Sequence, residues 1–251
     1  VPRLEREGEQ SYMFVRYAYR NSDGDMDTAP LLIMFDSSVV LTVSRTKLPA
    51  ADALLKGRVN FATTQRTKLI LLILSYISDQ YDQLVSQTSR DIKAIRSRLR
   101  GQGITNQDLI DFVTIEDELN EFLSSLLPTN AALRRLLAGK QLALFAEDED
   151  IVEDLLLNNE QSIEAIKSNL KSVSNIRDSY SAINSYNLNR VITVLTLATI
   201  LVALPNVFFG MYGMNVKLPD QTSDYAFYWI LGFNILLIIS IITFARRKKI
   251  I

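Results

Sequence analysis

The sequence predicts an α+β membrane protein with an N-terminal α/β domain and a long stalk helix continuous with the first of two C-terminal transmembrane helices. Three observations predict this class. Residues 191–211 and 225–244 are apolar runs without a charged residue, each long enough to cross a hydrocarbon core of about 30 Å. No Pro or Gly interrupts the chain between Ala146 and Pro205. The first 50 residues are instead rich in β-branched and aromatic side chains.

The N-terminal segment predicts antiparallel strands. Residues 10–20 and 31–43 are rich in strand-forming residues, and a polar turn separates them. Asp23, Asp25 and Asp27 alternate in that turn as in a calcium-binding loop. The nearby glycine falls at the wrong position for such a loop and no Glu closes it. A solvated turn is therefore the favoured interpretation.

Helical periodicity follows the strands. Apolar residues recur at helical spacing over 64–100, which predicts a long amphipathic helix. Thr105 and Asp108 have the spacing of a capping box at the start of a second helix. Pro128 is expected to begin a third, shorter helix that closes near Gly139.

The stalk helix carries a seam of apolar residues at coiled-coil-like spacing. The seam comprises Ile163, Ile166, Leu170, Val173, Ile176, Tyr180 and Ile183. From Ile151 to Phe209 the helix is expected to be on the order of 90 Å long. So long a seam needs partners, and this predicts a bundle of symmetry-related copies.

Composition excludes several classes of function. The 251 residues contain no Cys and no His, so thiolate or imidazole metal sites and Cys/His or Ser/His catalysis are excluded. Any metal ligand must be oxygen. The net charge of −1 does not suggest nucleic acid as a partner. No phosphate loop or dinucleotide fingerprint is present, so neither an enzyme nor an organic cofactor is expected.

Basic residues predict the orientation in the membrane. Arg190 precedes the first span and a basic tail follows the second, whereas the connecting loop offers only Lys217 beside Asp220 and Asp224. Both termini are therefore expected in the cytoplasm of a multi-pass plasma-membrane protein. The predicted domains are a cytoplasmic α/β domain at 1–145, stalk at 146–190, first transmembrane helix at 191–211, extracellular loop at 212–224, second transmembrane helix at 225–244 and basic cytoplasmic tail at 245–251. The charged N-terminus lacks a signal peptide, and its start at Val1 suggests that it is trimmed.

The loop between the spans carries the sequence Tyr212-Gly213-Met214-Asn215. This resembles the CorA family of divalent-cation channels, whose hallmark is Gly-Met-Asn just after the first of two C-terminal membrane helices. Pro205 in the preceding helix and the basic tail fit the same pattern. The resemblance implies a homopentamer in the lipid bilayer that passes hydrated Mg²⁺, and also Co²⁺ or Ni²⁺, into the cytoplasm. It implies a selectivity filter formed by Asn215 and the Gly213 carbonyl, with Met214 packing to shape the loop; Gly213 itself is expected to permit positive φ or close backbone approach.

Small and polar residues share one face of the first span. They are Asn189, Ile192, Thr196, Thr199, Ala203, Asn206 and Gly210, at alternating steps of three and four. One interpretation is a packing face for membrane helices, and the other is a pore wall. The glycine on this face likewise fits packing, close backbone approach or positive φ. The resemblance favours the pore, and it implies a hydrophobic constriction at Ile192 with Leu195 beside it.

An acidic cluster begins the stalk helix. The resemblance implies closure by cytoplasmic Mg²⁺ bound to carboxylates there, with Asp154 at the matching position. Its neighbours are Glu147, Asp148, Asp150 and Glu153. Acids in a first turn also stabilise the positive end of a helix dipole, so a capping role stays open for each of them.

Two other functions fit parts of the pattern. One is zinc transport in the manner of ZntB, a relative with a Gly-x-Asn motif after its first membrane helix. The other is a non-conducting scaffold whose membrane hairpin serves only as an anchor. An anchor has no need of a polar stripe or of Gly-Met-Asn.

Overall fold

The computed structural model describes residues 1–22, 24–49, 65–102, 105–138, 142, 144–219, 223 and 225–248. The predictions made for Asp23, Gly139, Asp220 and Asp224 fall outside these residues. The chain forms two compact units, Val1–Arg177 and Asp178–Ile251.

The first unit contains a four-stranded antiparallel sheet in the order β1-β2-β3-β4. Its strands are β1 (Arg3–Glu7), β2 (Gln10–Arg20), β3 (Met26–Phe35) and β4 (Val40–Ser44). Alternate residues of the two central strands are buried, as expected of a sheet with one face on the core.

The predicted antiparallel pairing is confirmed, and the first strand has the predicted bounds, whereas the bounds of the second strand differ. The second strand begins at Met26, and the predicted strand over 31–43 is two strands separated by a turn. Asp36 makes this turn, because its carboxylate accepts the backbone N–H groups of Ser38 and Val39 at 2.6 and 2.8 Å. These hydrogen bonds, that of Ser38 first, lower the pKa of Asp36. The strand β1 was not predicted.

Two helices follow the sheet, α1 (Arg66–Gln102) and α2 (Asn106–Leu137). The predicted capping box is confirmed, since Thr105 and Asp108 each bind the other's backbone N–H. The prediction that Pro128 begins a new helix is wrong, because this proline lies inside α2. A proline in a helix removes one backbone hydrogen bond. Here Leu126 and Leu133 remain buried on both sides of it, and this burial maintains one continuous helix.

The third helix, α3 (Ala146–Tyr212), has 67 residues, and α4 (Ala226–Arg247) has 22. At about 1.5 Å per residue, α3 is roughly 100 Å long. Both helices contain a stretch long and apolar enough to cross a membrane. The prediction of a stalk continuous with the first of two apolar helices is therefore confirmed.

The seam of α3 differs from its prediction. Within the first unit the seam is buried by the chain itself, in a core shared with α1 and α2, at Val152, Leu155, Asn159, Ser162, Ile163, Ile166, Asn169, Val173 and Ile176. Symmetry-related copies are thus not needed to cover the seam as far as Ile176. Beyond this point Tyr180 is half-buried and Ile183 is 58% exposed. The need for partners begins only there.

Candidate functional site

The second half of α3 has two faces of different character. Leu197, Leu201, Leu204 and Phe208 are half-buried, and the Phe208 ring meets Phe233 of α4 edge-on with centroids 5.1 Å apart. This is the face that packs within the second unit. Because a helix turns about 100° per residue, it lies opposite the predicted polar stripe.

Every member of the predicted stripe is exposed. These are Asn189, Ile192, Thr196, Thr199, Ala203, Asn206 and Gly210. Ile192 and its neighbour Leu195 are 52% and 66% exposed. The packing interpretation therefore does not apply to contacts with α4. Within the part of the chain that the structure describes, the stripe is a free surface.

One hydroxyl on the stripe has a fixed direction. The Thr199 hydroxyl donates to the Leu195 carbonyl at 2.9 Å. Its hydrogen is used by the backbone, so the oxygen presents lone pairs as acceptors. An acceptor without a formal charge suits interaction with the water shell of a cation.

The Gly-Met-Asn segment forms the turn that closes α3. The Gly213 N–H donates to the Phe209 carbonyl at 3.0 Å, and the Met214 N–H donates to the Met211 carbonyl at 3.2 Å. These bonds satisfy carbonyl groups at the helix end. The Asn215 side chain is exposed, and it makes no hydrogen bond to the described residues. Its amide is thus available to a ligand.

Gly213 and Gly210 differ in their surroundings. Of the alternatives considered for these two glycines, positive φ applies to neither, because the described glycines with positive φ are Gly8 and Gly24. Close approach holds only for Gly213, where a Cβ atom would lie 3.3 Å from the Phe209 carbonyl oxygen. Nothing lies within 4 Å of a Cβ atom at Gly210. The predicted packing of Met214 is not seen within the chain, since this side chain is 52% exposed.

The acidic cluster divides into one cap and several exposed carboxylates. Asp148 accepts the Phe145 N–H at 3.1 Å, the bond expected of a residue that caps the first turn of α3. The exposed members are Glu147, Asp150, Glu153 and Asp154. Among the residues described, no group of three or more acidic side chains is arranged to hold a metal ion. The chain alone does not assemble the predicted regulatory site.

The sequence analysis did not predict the buried polar residues of α3 and α4. Asn234 of α4 is 2% exposed, donates to the Ile230 carbonyl at 2.8 Å and leaves its Oδ1 atom without a partner in the described part of the chain. An amide within an uncharged apolar run is itself a signal, because polar groups in hydrocarbon require partners. Asn159 and Asn169 of α3 break the apolar seam in the same way and are also buried.

An α+β domain, a helix of 67 residues and a second apolar helix give a protein with two candidate membrane spans, the first of which carries an exposed polar stripe. A family model described as CorA-like Mg²⁺ transporter protein matches residues 1–247. The chain belongs to this family of membrane transporters, which are not enzymes and whose substrate is Mg²⁺.

Individual relatives agree in fold. The cobalt/magnesium transport protein CorA of Methanocaldococcus jannaschii is 23% identical over 259 residues, which is 99% of this chain and 79% of that protein. The complete structure of the CorA magnesium transporter from the same organism covers 98% of this chain and 79% of its own, at 21% identity and a TM-score of 0.88. The ZntB cytoplasmic domain of Vibrio parahaemolyticus matches at 12% identity and a TM-score of 0.61, covering 74% of each chain.

Proposed function

We propose that this protein is a homopentameric channel that passes hydrated Mg²⁺ into the cytoplasm through a pore lined by the exposed stripe of α3. The observation that carries the proposal is the position of the stripe opposite the face that packs on α4. A helix that turns its apolar face to its own hairpin partner leaves its polar face for a shared pore. The number five and the cytoplasmic position of both termini come from the family resemblance and from the basic residues that flank the spans.

The chemistry of the stripe suits a hydrated ion. Mg²⁺ releases its water shell reluctantly and requires octahedral oxygen geometry. The stripe contains no carboxylate, so its amide and hydroxyl groups meet the ion through water. The free Asn215 amide and the Gly213 carbonyl form the outer filter, and Ile192 and Leu195 form a hydrophobic constriction that closes by dewetting.

The test of the filter is Mg²⁺ flux into liposomes that contain the full chain. The Asn215 amide hydrogen-bonds to water polarised by the ion, and a charge-assisted hydrogen bond contributes about 1.5–3 kcal/mol, so Asn215→Ala should reduce flux about 10- to 100-fold. Asn158→Ala is the matched control, because Asn158 is an exposed amide on the soluble part of α3. Normal flux through the Asn215→Ala variant would exclude the filter. A wild-type protein that conducts no cation under any gradient would instead favour the anchored scaffold.

Ion preference is tested in the same liposomes. We propose that Mg²⁺ is preferred, with Co²⁺ and Ni²⁺ also carried, because oxygen ligands suit a hard hydrated ion. Competition between labelled Zn²⁺ and unlabelled Mg²⁺ separates this from ZntB-like zinc transport. Zinc flux that Mg²⁺ fails to inhibit would contradict the preference.

We also propose that cytoplasmic Mg²⁺ closes the channel by binding to Asp154 together with carboxylates of a neighbouring copy. The exposed carboxylates of Asp150, Glu153 and Asp154 supply oxygen ligands, which Mg²⁺ prefers. Asp154→Ala should raise the half-inhibitory concentration of Mg²⁺ severalfold. Glu149→Ala is the control, since Glu149 lies in the first turn of the same helix and is also exposed. Equal inhibition of the two variants would leave the carboxylates with a capping role only.

A further inference from the structure

The buried seam of α3 is not uniformly apolar. Its positions from Val152 to Ile176 follow the alternating spacing of three and four residues of a coiled coil. Three of them are polar, namely Asn159, Ser162 and Asn169, which are 3%, 1% and 9% exposed. A buried amide weakens such a seam unless it has a specific partner.

Both asparagines find that partner on α1. Ser78 donates to the Asn159 Oδ1 atom at 2.8 Å. Further along, Asn169 donates from Nδ2 to the Ser89 Oγ atom at 2.8 Å, while the Ser89 hydroxyl has the Val85 carbonyl within 3.0 Å. From the first pair to the second, the residue number rises by 11 on α1, from Ser78 to Ser89, and by 10 on α3, from Asn159 to Asn169. The two helices therefore run parallel with matched rise, and the pairs lie at two levels of one interface.

A slip of one turn would break both pairs at once. Asn159 would then face the level of Leu74 or Tyr81, and Asn169 the level of Val85 or Ile92. These residues are buried. Leucine, valine and isoleucine offer no hydrogen-bonding group, and the Tyr81 hydroxyl already donates to the Arg16 carbonyl at 3.2 Å. Apolar seam residues pack in either register, whereas the two amides are satisfied in one only.

We infer that the Ser78–Asn159 and Ser89–Asn169 pairs fix the axial register of α3 on α1. A single polar residue in a helical seam has this effect on register, at a cost in stability. Because α3 continues unbroken to Tyr212, these four are positioning residues for the pore-forming end of the same helix. This second step rests on the proposed function, whereas the register itself does not.

The absence of cysteine from the sequence allows a direct test by disulfide cross-linking. Val85 and Ile166 lie seven residues beyond Ser78 and Asn159, so Val85→Cys with Ile166→Cys reports the native register. Val85→Cys with Ser162→Cys reports a slip of one turn. Each reporter pair is placed in the full chain in membranes and oxidised with copper phenanthroline. In the otherwise native chain we expect the first pair to cross-link and the second to remain reduced.

Both hydrogen-bonded pairs are then removed in one released variant, which carries Ser78→Ala, Asn159→Leu, Ser89→Ala and Asn169→Leu. We expect the yield of the slipped pair to rise severalfold. A chain with only Ser78→Ala and Asn159→Leu gives a smaller rise and serves if the fourfold variant does not assemble. The matched control carries Asn158→Leu and Ser86→Ala, which change exposed residues of the same helices. A slipped-pair yield equal to that of the control would overturn the inference.

Transport provides the second measurement. In the released variant we expect a severalfold change in the Mg²⁺ concentration that half-closes the channel. A slipped register with an unchanged Mg²⁺ response would overturn the coupling of register to the pore and leave the magnesium channel standing. Absence of flux in the wild type would instead refute the channel, while the cross-linking result would still decide the register.

Discussion

The two halves of α3 have the same spacing of seam residues and opposite surroundings. Up to Ile176 the seam lies in a core shared with α1 and α2. Residues 181–196 are all exposed, a bare stretch of about 24 Å at 1.5 Å per residue. Past it, the leucines from Leu197 onward are again half-buried, in the second unit. One chain thus covers the seam of α3 as far as Ile176 and leaves residues 181–196 uncovered.

The difference teaches what a seam can and cannot indicate. Tyr180, Ile183, Asn187 and Arg190 continue the spacing of three and four residues, yet the described chain does not bury them. Periodicity identifies which face of a helix will be buried. Which element buries that face depends on the rest of the chain. In the first half these are two long helices. In the second half lipid and other copies are the remaining candidates, as the proposed pentamer requires.

The largest expected effect is a difference in stability between variants in the first and second halves of α3. Ile166 is fully buried and Ile183 is 58% exposed. Truncation of a buried Ile costs about 2–5 kcal/mol, whereas an exposed change is within about 0.5 kcal/mol. Ile166→Ala should therefore lower the thermal unfolding midpoint of the soluble part by many degrees, and Ile183→Ala should not. Near-UV circular dichroism follows this transition in detergent through Tyr17 and Tyr81, the fully buried tyrosines of the first unit.

Trp229 supplies the control for that experiment. It is the only tryptophan and lies on α4, so its fluorescence reports the hairpin. Ile166→Ala should leave the Trp229 transition in place. A variant at Ile183 that destabilises the soluble part as strongly as Ile166→Ala would show that the two halves are not distinct in the way described.

The same contrast explains which parts of the fold were predictable. The long helices and the capping box at Thr105 follow from local patterns, and the structure confirms them. The prediction for Pro128 is wrong because the free-energy cost of a proline inside a helix is offset here by residues buried on both sides of it. Local sequence rules do not take that burial into account. Strand β1 has only 5 residues, few of them apolar, and gave no signal of its own.

The candidate site shows the same limit. The motif at Asn215 and the stripe on α3 were visible as spacing in the sequence, and the structure shows the stripe exposed. The partners of Asn159 and Asn169 lie about 80 residues earlier in the chain, at separations that periodicity does not reach. The capping bond of Asp148 distinguishes it from its exposed neighbours, and nothing in the spacing of the acidic residues indicates which of them makes that bond.

A smaller effect is expected at the end of α3, where two glycines in the hairpin differ. A Cβ atom at Gly213 would lie 3.3 Å from a backbone oxygen, whereas Gly210 has open space. Overpacking costs about 1–3 kcal/mol, so Gly213→Ala should distort the turn and reduce Mg²⁺ flux severalfold. Gly210→Ala should change flux less if that face borders a water-filled pore. Equal losses in both would indicate that the stripe packs tightly against other copies.

The smallest expected effect is on the pH dependence of stability, and it is limited to the first unit. Glu118 of α2 is half-buried and accepts the Met26 N–H at 2.7 Å. Burial is the main cause that raises the pKa of Glu118, although the hydrogen bond from Met26 lowers it. Because the folded pKa lies above the unfolded value of about 4.3, the ionised form is disfavoured in the fold. Stability from this group is thus present below the unfolded pKa and is lost as pH rises through the folded pKa.

Glu118→Gln retains the acceptor for Met26 and removes the charge. Above pH of about 4.3 the variant should therefore lose less stability with rising pH than the wild type. The effect is small because the side chain retains access to water. Between residues 191 and 248 the acidic residues are Asp220 and Asp224, and none lies on α4, so the Trp229 signal should not differ between the wild type and Glu118→Gln. Parallel pH dependence in wild type and variant would show that Glu118 does not contribute, and a matching change in the Trp229 signal would show that the two halves unfold together.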